Sequence, residues 1–163
     1  MNIKELLNVY LKENLKKEKN FKFNFSVPRL KNILFEEECT LLDDYIESNK
    51  EDNYFQSLLF NLIDNKGLKD SDVYNKAGID RRLFSKIRNN IKYHPSKETV
   101  ILLGLALKLN ESEIENLLNS ASYSLPKNNV YDLIIRFCFI NKIYNIIDVN
   151  NLLSEHECKL LIY

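Results

Sequence analysis

Three glycines and three prolines in 163 residues leave this chain few places to turn tightly. An all-β sandwich or barrel needs a turn about every ten residues, and glycine and proline are the strongest markers of such turns. A chain with 26 leucines and 16 isoleucines but so few turn-formers is expected to build helices. The expected fold class is all-α. With 45% apolar and 28% charged residues it has the composition of a globular domain with a sizeable core, and its length suits one domain with or without an appendage.

The apolar spacing divides the chain into residues 1–53, 54–125 and 126–163. In the first part Ile3, Leu6, Leu7, Tyr10, Leu11 and Leu15 recur at helical spacing, which predicts a surface helix burying one stripe. Phe21, Phe23 and Phe25 alternate with polar residues and predict an extended strap. Residues 36–48 read as an acidic helix with Leu41, Leu42, Tyr45 and Ile46 on one side. Its opening triplet, Glu36 to Glu38, suits the positive end of a helix dipole. The polar run 48–53 reads as a linker.

From Tyr54 the punctuation sharpens. Phe55, Leu58, Leu59, Leu62 and Ile63 form a helical stripe that Lys66-Gly67 stops. Asp70 or Ser71 is expected to cap a short helix carrying Val73, Tyr74 and Ala77, ended by Gly78. Asp80 then caps a third helix that turns Leu83, Phe84 and Ile87 inward. Ser96 caps the next, where Val100 to Leu109 is apolar almost all round, as in a central buried helix, and Gly104 admits a close neighbour. Asn110 and Glu113 make a capping box ahead of Ile114, Leu117, Leu118 and Ala121. Beyond Pro126 two more helices are expected, one carrying Tyr131, Ile134, Ile135, Cys138 and Phe139, the other capped by Asp148 and carrying Val149, Leu152 and Leu153.

Net charge is zero, with 23 basic and 23 acidic side chains, so no global field advertises a polyanionic partner. The distribution is uneven. Lys76, Arg81, Arg82, Lys86, Arg88, Lys92 and Lys97 crowd one stretch, and outside residues 54–96 there are 15 basic against 19 acidic residues. Three of the five arginines fall between 81 and 88, and arginine is suited to bidentate contact with guanine edges or phosphates. On a helix from 81 to 89, positions 81, 82, 85, 86 and 89 lie away from the Leu83, Phe84 and Ile87 face. Arg81, Arg82 and Ser85 are then the candidates for base contacts, and Lys86, Asn89, Asn90 and Lys92 for phosphate contacts. Read as charge alone, the stretch is equally a solvated face of a helical bundle.

The order Lys66-Gly67-Leu68, Gly78-Ile79-Asp80 and Pro95-Ser96-Lys97-Glu98-Thr99 resembles the lambda-repressor-like, Xre-type helix-turn-helix domain over about residues 54–123. The box Lys76-Ala-Gly-Ile-Asp-Arg-Arg-Leu-Phe-Ser-Lys-Ile-Arg88 resembles that of a narrower bacterial group. The resemblance implies five helices, double-stranded DNA as partner, major-groove reading by the helix from 80 to 89, and transcriptional regulation. Two positions depart from the family pattern: Tyr74 stands where a small alanine is usual, and Asp70 where a phosphate-binding glutamine is usual. Asp70, Ser71 and Asp72 are expected to oppose DNA along that edge.

The segment 126–163 exceeds what five helices need and has two open readings, a homodimer interface or an addition to the core. The alternative function is a protein-interaction or adaptor module that retains the fold without binding DNA, with a protein partner held through residues 1–53. Enzyme chemistry finds no constellation: His94 and His156 are isolated, His156-Glu157-Cys158 lacks metal-ligand spacing, and there is no glycine-rich phosphate loop. No cofactor or metal is expected. Cys39, Cys138 and Cys158 are odd in number and widely spaced, which suggests a reducing, cytoplasmic location. No run approaches the roughly 18 apolar residues of a membrane span.

Overall fold

The computed structural model describes residues 3–16, 36–49 and 54–161, and among these all the regular structure is helical. The helices are α1 (Ile3–Lys16), α2 (Glu36–Asn49), α3 (Tyr54–Asn65), α4 (Asp70–Lys76), α5 (Arg81–Asn89), α6 (Lys97–Ala106), α7 (Glu111–Ser120), α8 (Val130–Ile140) and α9 (Ile146–Glu155). The all-α expectation holds. Phe21, Phe23 and Phe25, and residues 50–53 of the expected linker, lie outside the described residues.

The chain divides into two compact units, Met1–Lys19 with Asn53–Tyr163, and Asn20–Asp52. In the second, α2 begins at Glu36, so the glutamate triplet forms its first turn. Leu42, Tyr45 and Ile46 of α2 are exposed.

In the first unit α6 is the axle. Every residue from Thr99 to Ala106 is buried, which requires neighbours all round, and α4, α7 and further helices supply them. α6 packs on α7 and α4, α7 on α3 and α8, and α8 on α1 and α9. Gly104 is where α6 comes closest to its neighbours: a Cβ there would collide with Ile114 of α7 and stand 3.2 Å from the ring of Phe139 on α8. α1 contributes the buried Leu7 and Leu11 to the same core, with Tyr10 against Phe137 at 5.4 Å between ring centroids. Nearly all of α8 is buried as well, from Asp132 to Cys138 and Phe139 with Arg136 half-covered. Segments 3–16 and 126–161 therefore share one core with α3–α7.

The scarcity of glycine is met by a repeated stop. Gly67 and Gly78 end α3 and α4 in the left-handed region, and Lys108, Ser122, Lys142 and Glu157 adopt the same conformation after α6, α7, α8 and α9. In each case the next residue's N–H donates to a carbonyl five residues back, as Leu68 does to Ile63, Ile79 to Tyr74, Leu109 to Gly104 and Ile143 to Cys138. That next residue is always apolar (Leu68, Ile79, Leu109, Tyr123, Ile143, Cys158) and packs on the core. Burial of this residue offsets the roughly 1 kcal/mol that a non-glycine side chain loses in a left-handed conformation.

Two expected caps are corrected. The N-cap position of α4 falls on Lys69, whose side chain makes no cap bond, and Asp70 is the first helical residue. α9 is capped by Asn145, whose side chain accepts from the Ile147 N–H, while Asp148 stands in the first turn. The caps by Asp80 and Ser96 and the Asn110–Glu113 capping box form as expected.

Candidate nucleic-acid interface

α4 and α5 are two short helices joined by residues 77–80, with Gly78 at φ 63° making the bend. Val73 of α4 and Ala77 at its C-cap are buried, as are Phe84 and Ile87 of α5. Phe84 is held between the rings of Phe60 and Tyr74, at 6.0 and 5.7 Å. The bulk of Tyr74 is thus accommodated by ring packing on Phe84, and the fully enclosed positions in and just after α4 go to the smaller Val73 and Ala77. Leu83, expected to face inward, is half-buried.

The opposite side of α5 is exposed, with Arg81, Arg82, Ser85, Lys86, Arg88 and Asn89 on it. Among the described residues, neither the Arg81 nor the Arg82 guanidinium makes an intramolecular hydrogen bond or ion pair. Asp80 accepts from the Arg82 backbone N–H, fixing the first turn. Ser85 and Asn89 are tied together, Asn89 Nδ2 donating to Ser85 Oγ at 3.0 Å. Lys86 Nζ lies 4.4 Å over the Tyr93 ring, and Asn90 Oδ1 accepts from the Lys92 N–H in a local turn. Lys92 is exposed.

Two of the seven basic residues serve the fold. Arg88 Nη2 stands 2.5 Å from Asp70 Oδ1, with its guanidinium 4.0 Å over the Phe60 ring. The Asp70 carboxylate, expected to oppose an approaching phosphate, is thereby neutralised from α5. Lys97 Nζ reaches Asp132 Oδ1 at 2.6 Å, an ion pair whose carboxylate is only 3% exposed and which joins α6 to α8. The sequence signal for either pair is absent, because the partners lie 18 and 35 residues apart. Sequence reasoning also missed Gln56 of α3. Its Nε2 donates to the carbonyls of Ile87 (2.5 Å) and Asn90 (3.0 Å) and closes the C-terminal end of α5, the one helix from α3 to α9 without a left-handed stop.

His94, Cys138 and Cys158, also singled out by sequence, are engaged structurally. His94 packs on Tyr123, whose hydroxyl donates to the Pro95 carbonyl at 3.1 Å. The Cys138 thiol is buried, and burial, assisted by the negative charge of Asp148, pushes its pKa up to about 12. Burial also raises that of Cys158, whose Sγ contacts the His156 carbonyl at 3.4 Å. Among the described residues no three His, Cys, Asp or Glu side chains gather closely enough to hold a metal ion, and no helix is long and apolar enough to cross a membrane. Comparison with protein-family models, curated proteins and solved structures found no match to this chain.

Proposed function

We propose that this protein binds double-stranded DNA as a transcriptional regulator of the lambda-repressor-like helix-turn-helix kind, with α3–α7 as the five-helix unit and α5 entering the major groove. The observation that carries the reading is the first turn of α5. It presents Arg81 and Arg82 side by side, exposed and without intramolecular partners among the described residues, on a helix whose other face is locked by Phe84 and Ile87. An arginine pair at the start of an exposed helix is the geometry that reads base edges. Lys86, Asn89, Asn90 and Lys92 follow toward the backbone phosphates, and the Asp70–Arg88 pair relieves the repulsion that Asp70 would otherwise exert. Ser85 contributes its hydroxyl, already polarised by Asn89.

The test is binding of the full chain to pooled genomic duplex across a salt series, beside an Arg81→Ala/Arg82→Ala variant. The expected slope of log affinity on log salt is negative and shrinks by ~1 for each phosphate contact removed, while loss of preference for one fragment marks a base contact. A weak, salt-independent response from both proteins overturns the reading.

A second reading, capture of a protein partner through residues 1–53, is favoured by the exposed Leu42 and Ile46 of α2. Deleting residues 1–53 is the wrong test of it, because Leu7 and Leu11 belong to the core. Leu42→Asp/Ile46→Asp abolishes capture under this reading and leaves duplex binding intact. A homodimer through 126–163 would rest on Ile140, Ile147 and Leu160, the large apolar side chains exposed there among the described residues, and sedimentation of an Ile147→Asp variant tests it.

A further inference from the structure

Away from the exposed face of α5, the ends of several helices surround a cavity of about 1080 Å³. It is bounded by the end of α4 with its turn, the end of α6, the α8–α9 connection, α9 and the start of α1, all within one compact unit. Its size lies just above the range usual for small-molecule sites, roughly 300–1,000 Å³. Part of the lining is apolar, from α6 and α9.

The charge of the lining is one-sided. Lys4, Lys76, Lys108 and Lys142 line the cavity, and among the described residues Asp148 is its only acidic side chain. In a chain of zero net charge this is a local excess of cations. Lys4 is paired with Glu155, whereas Lys76, Lys108 and Lys142 form no ion pair among the described residues.

The backbone explains how they come together. Lys108 and Lys142 occupy the left-handed stops of α6 and α8, at φ 50° and 58°, positions where glycine is favoured and lysine has no conformational advantage. Lysine at a helix C-terminus does favour the dipole, but the terminal carbonyls of Gly104 and Cys138 already accept the N–H groups of Leu109 and Ile143. The cations are therefore left available to a ligand. At the same cavity α9 begins, with the positive end of its dipole and the Asn145 cap.

We propose that this cavity binds a small molecule bearing a polyphosphate group, with Lys76, Lys108 and Lys142 holding the phosphates and the apolar lining receiving any organic part. Three exposed lysines bordering one concavity suit a multiply charged anion, toward which each can turn its ammonium group in a charge-assisted hydrogen bond. The inference does not rest on the DNA reading, and its readout involves no duplex.

The experiment titrates the ¹⁵N-labelled full chain with inorganic pyrophosphate and, separately, with ATP, at low ionic strength. Saturable amide shifts are expected around residues 76–78, 108 and 142–148. Lys108→Asn/Lys142→Asn weakens binding by ~10-fold or more, with asparagine chosen because it tolerates the left-handed conformation. Conservation of the remaining amide spectrum shows that the variant is folded. Tighter binding of ATP than of pyrophosphate assigns the apolar lining to the organic part, and equal binding assigns the site to the phosphates alone; both support the proposal. Absence of shifts up to ~5 mM of either probe, shifts confined to the exposed face of α5, or unchanged affinity in the folded variant overturns it.

Discussion

Helices α5 and α8 have similar lengths, nine and eleven residues, and opposite relations to the core. α5 spends two side chains, Phe84 and Ile87, on burial and turns six polar ones outward. α8 buries seven and keeps one charge, Asp132, inside with a lysine partner. α5 is held by a cap at one end, a glutamine at the other, the rings of Phe60 and Tyr74 beneath and the Arg88–Asp70 pair beside them. α8 is held by α1, α7 and α9 together. The contrast marks where this molecule can vary: apart from Arg88, the outward side chains of α5 can change without touching the core, while α8 determines whether the domain exists.

Substitutions can break this contrast. The largest expected effect is in α8, where Phe137→Ala removes a ring that is 1% exposed. It should cost about 3–5 kcal/mol in denaturant unfolding, and a cost below ~1 kcal/mol would place α8 at the periphery. Next comes Lys97→Ala, which leaves the buried Asp132 carboxylate without its cation. A loss of about 2–4 kcal/mol is expected, with much of it recovered by Lys97→Met/Asp132→Leu.

The third test is of pH. The folded Cys138 thiol titrates about 12 against an ordinary value of 9.0, so above pH 9 the unfolded chain releases a proton that the folded chain retains. Stability is fully present below pH 9 and is lost as the pH rises toward 12. The Tm of the protein should therefore fall more steeply over that window than that of a Cys138→Val variant, and parallel curves would refute it.

On the α5 side the effects shrink. Gln56→Ala takes the side-chain donor from the Ile87 carbonyl, leaves the Asn90 carbonyl with only the Tyr93 N–H, and should cost about 1 kcal/mol, with faster amide exchange at residues 87–92. Arg81→Ala/Arg82→Ala should change stability by less than ~0.5 kcal/mol. A larger loss would make the arginines part of the scaffold.

The candidate interface was legible where its signals are local. The Asp80 cap, the bend at Gly78 and the period of Leu83, Phe84 and Ile87 lie within ten residues, so the exposure of Arg81, Arg82, Ser85, Lys86 and Asn89 followed from helix geometry. Lys97 and Arg88 were indistinguishable from their basic neighbours in sequence, since which lysine or arginine is spent on an ion pair depends on a carboxylate brought from another helix. The stops after α6, α7, α8 and α9 were hidden for a related reason. They use Lys108, Ser122, Lys142 and Glu157, residues with no turn signature, made tenable by the next residue docking on the core.

By itself, then, the amino-acid sequence determined the all-α class, the place of most helices and the amphipathic split of α5, because these arise from the scarcity of glycine and proline and from periodicities of three to four residues. Packing decided that residues 3–16 and 126–161 complete the core of α3–α7, that Asp70 is neutralised by Arg88, and that three lysines with no ion pair among the described residues border one cavity. The physical reason is range: a helix and its caps form from neighbours along the chain, whereas burial, ion pairing and the convergence of helix ends depend on groups that only packing brings within a few ångströms of one another.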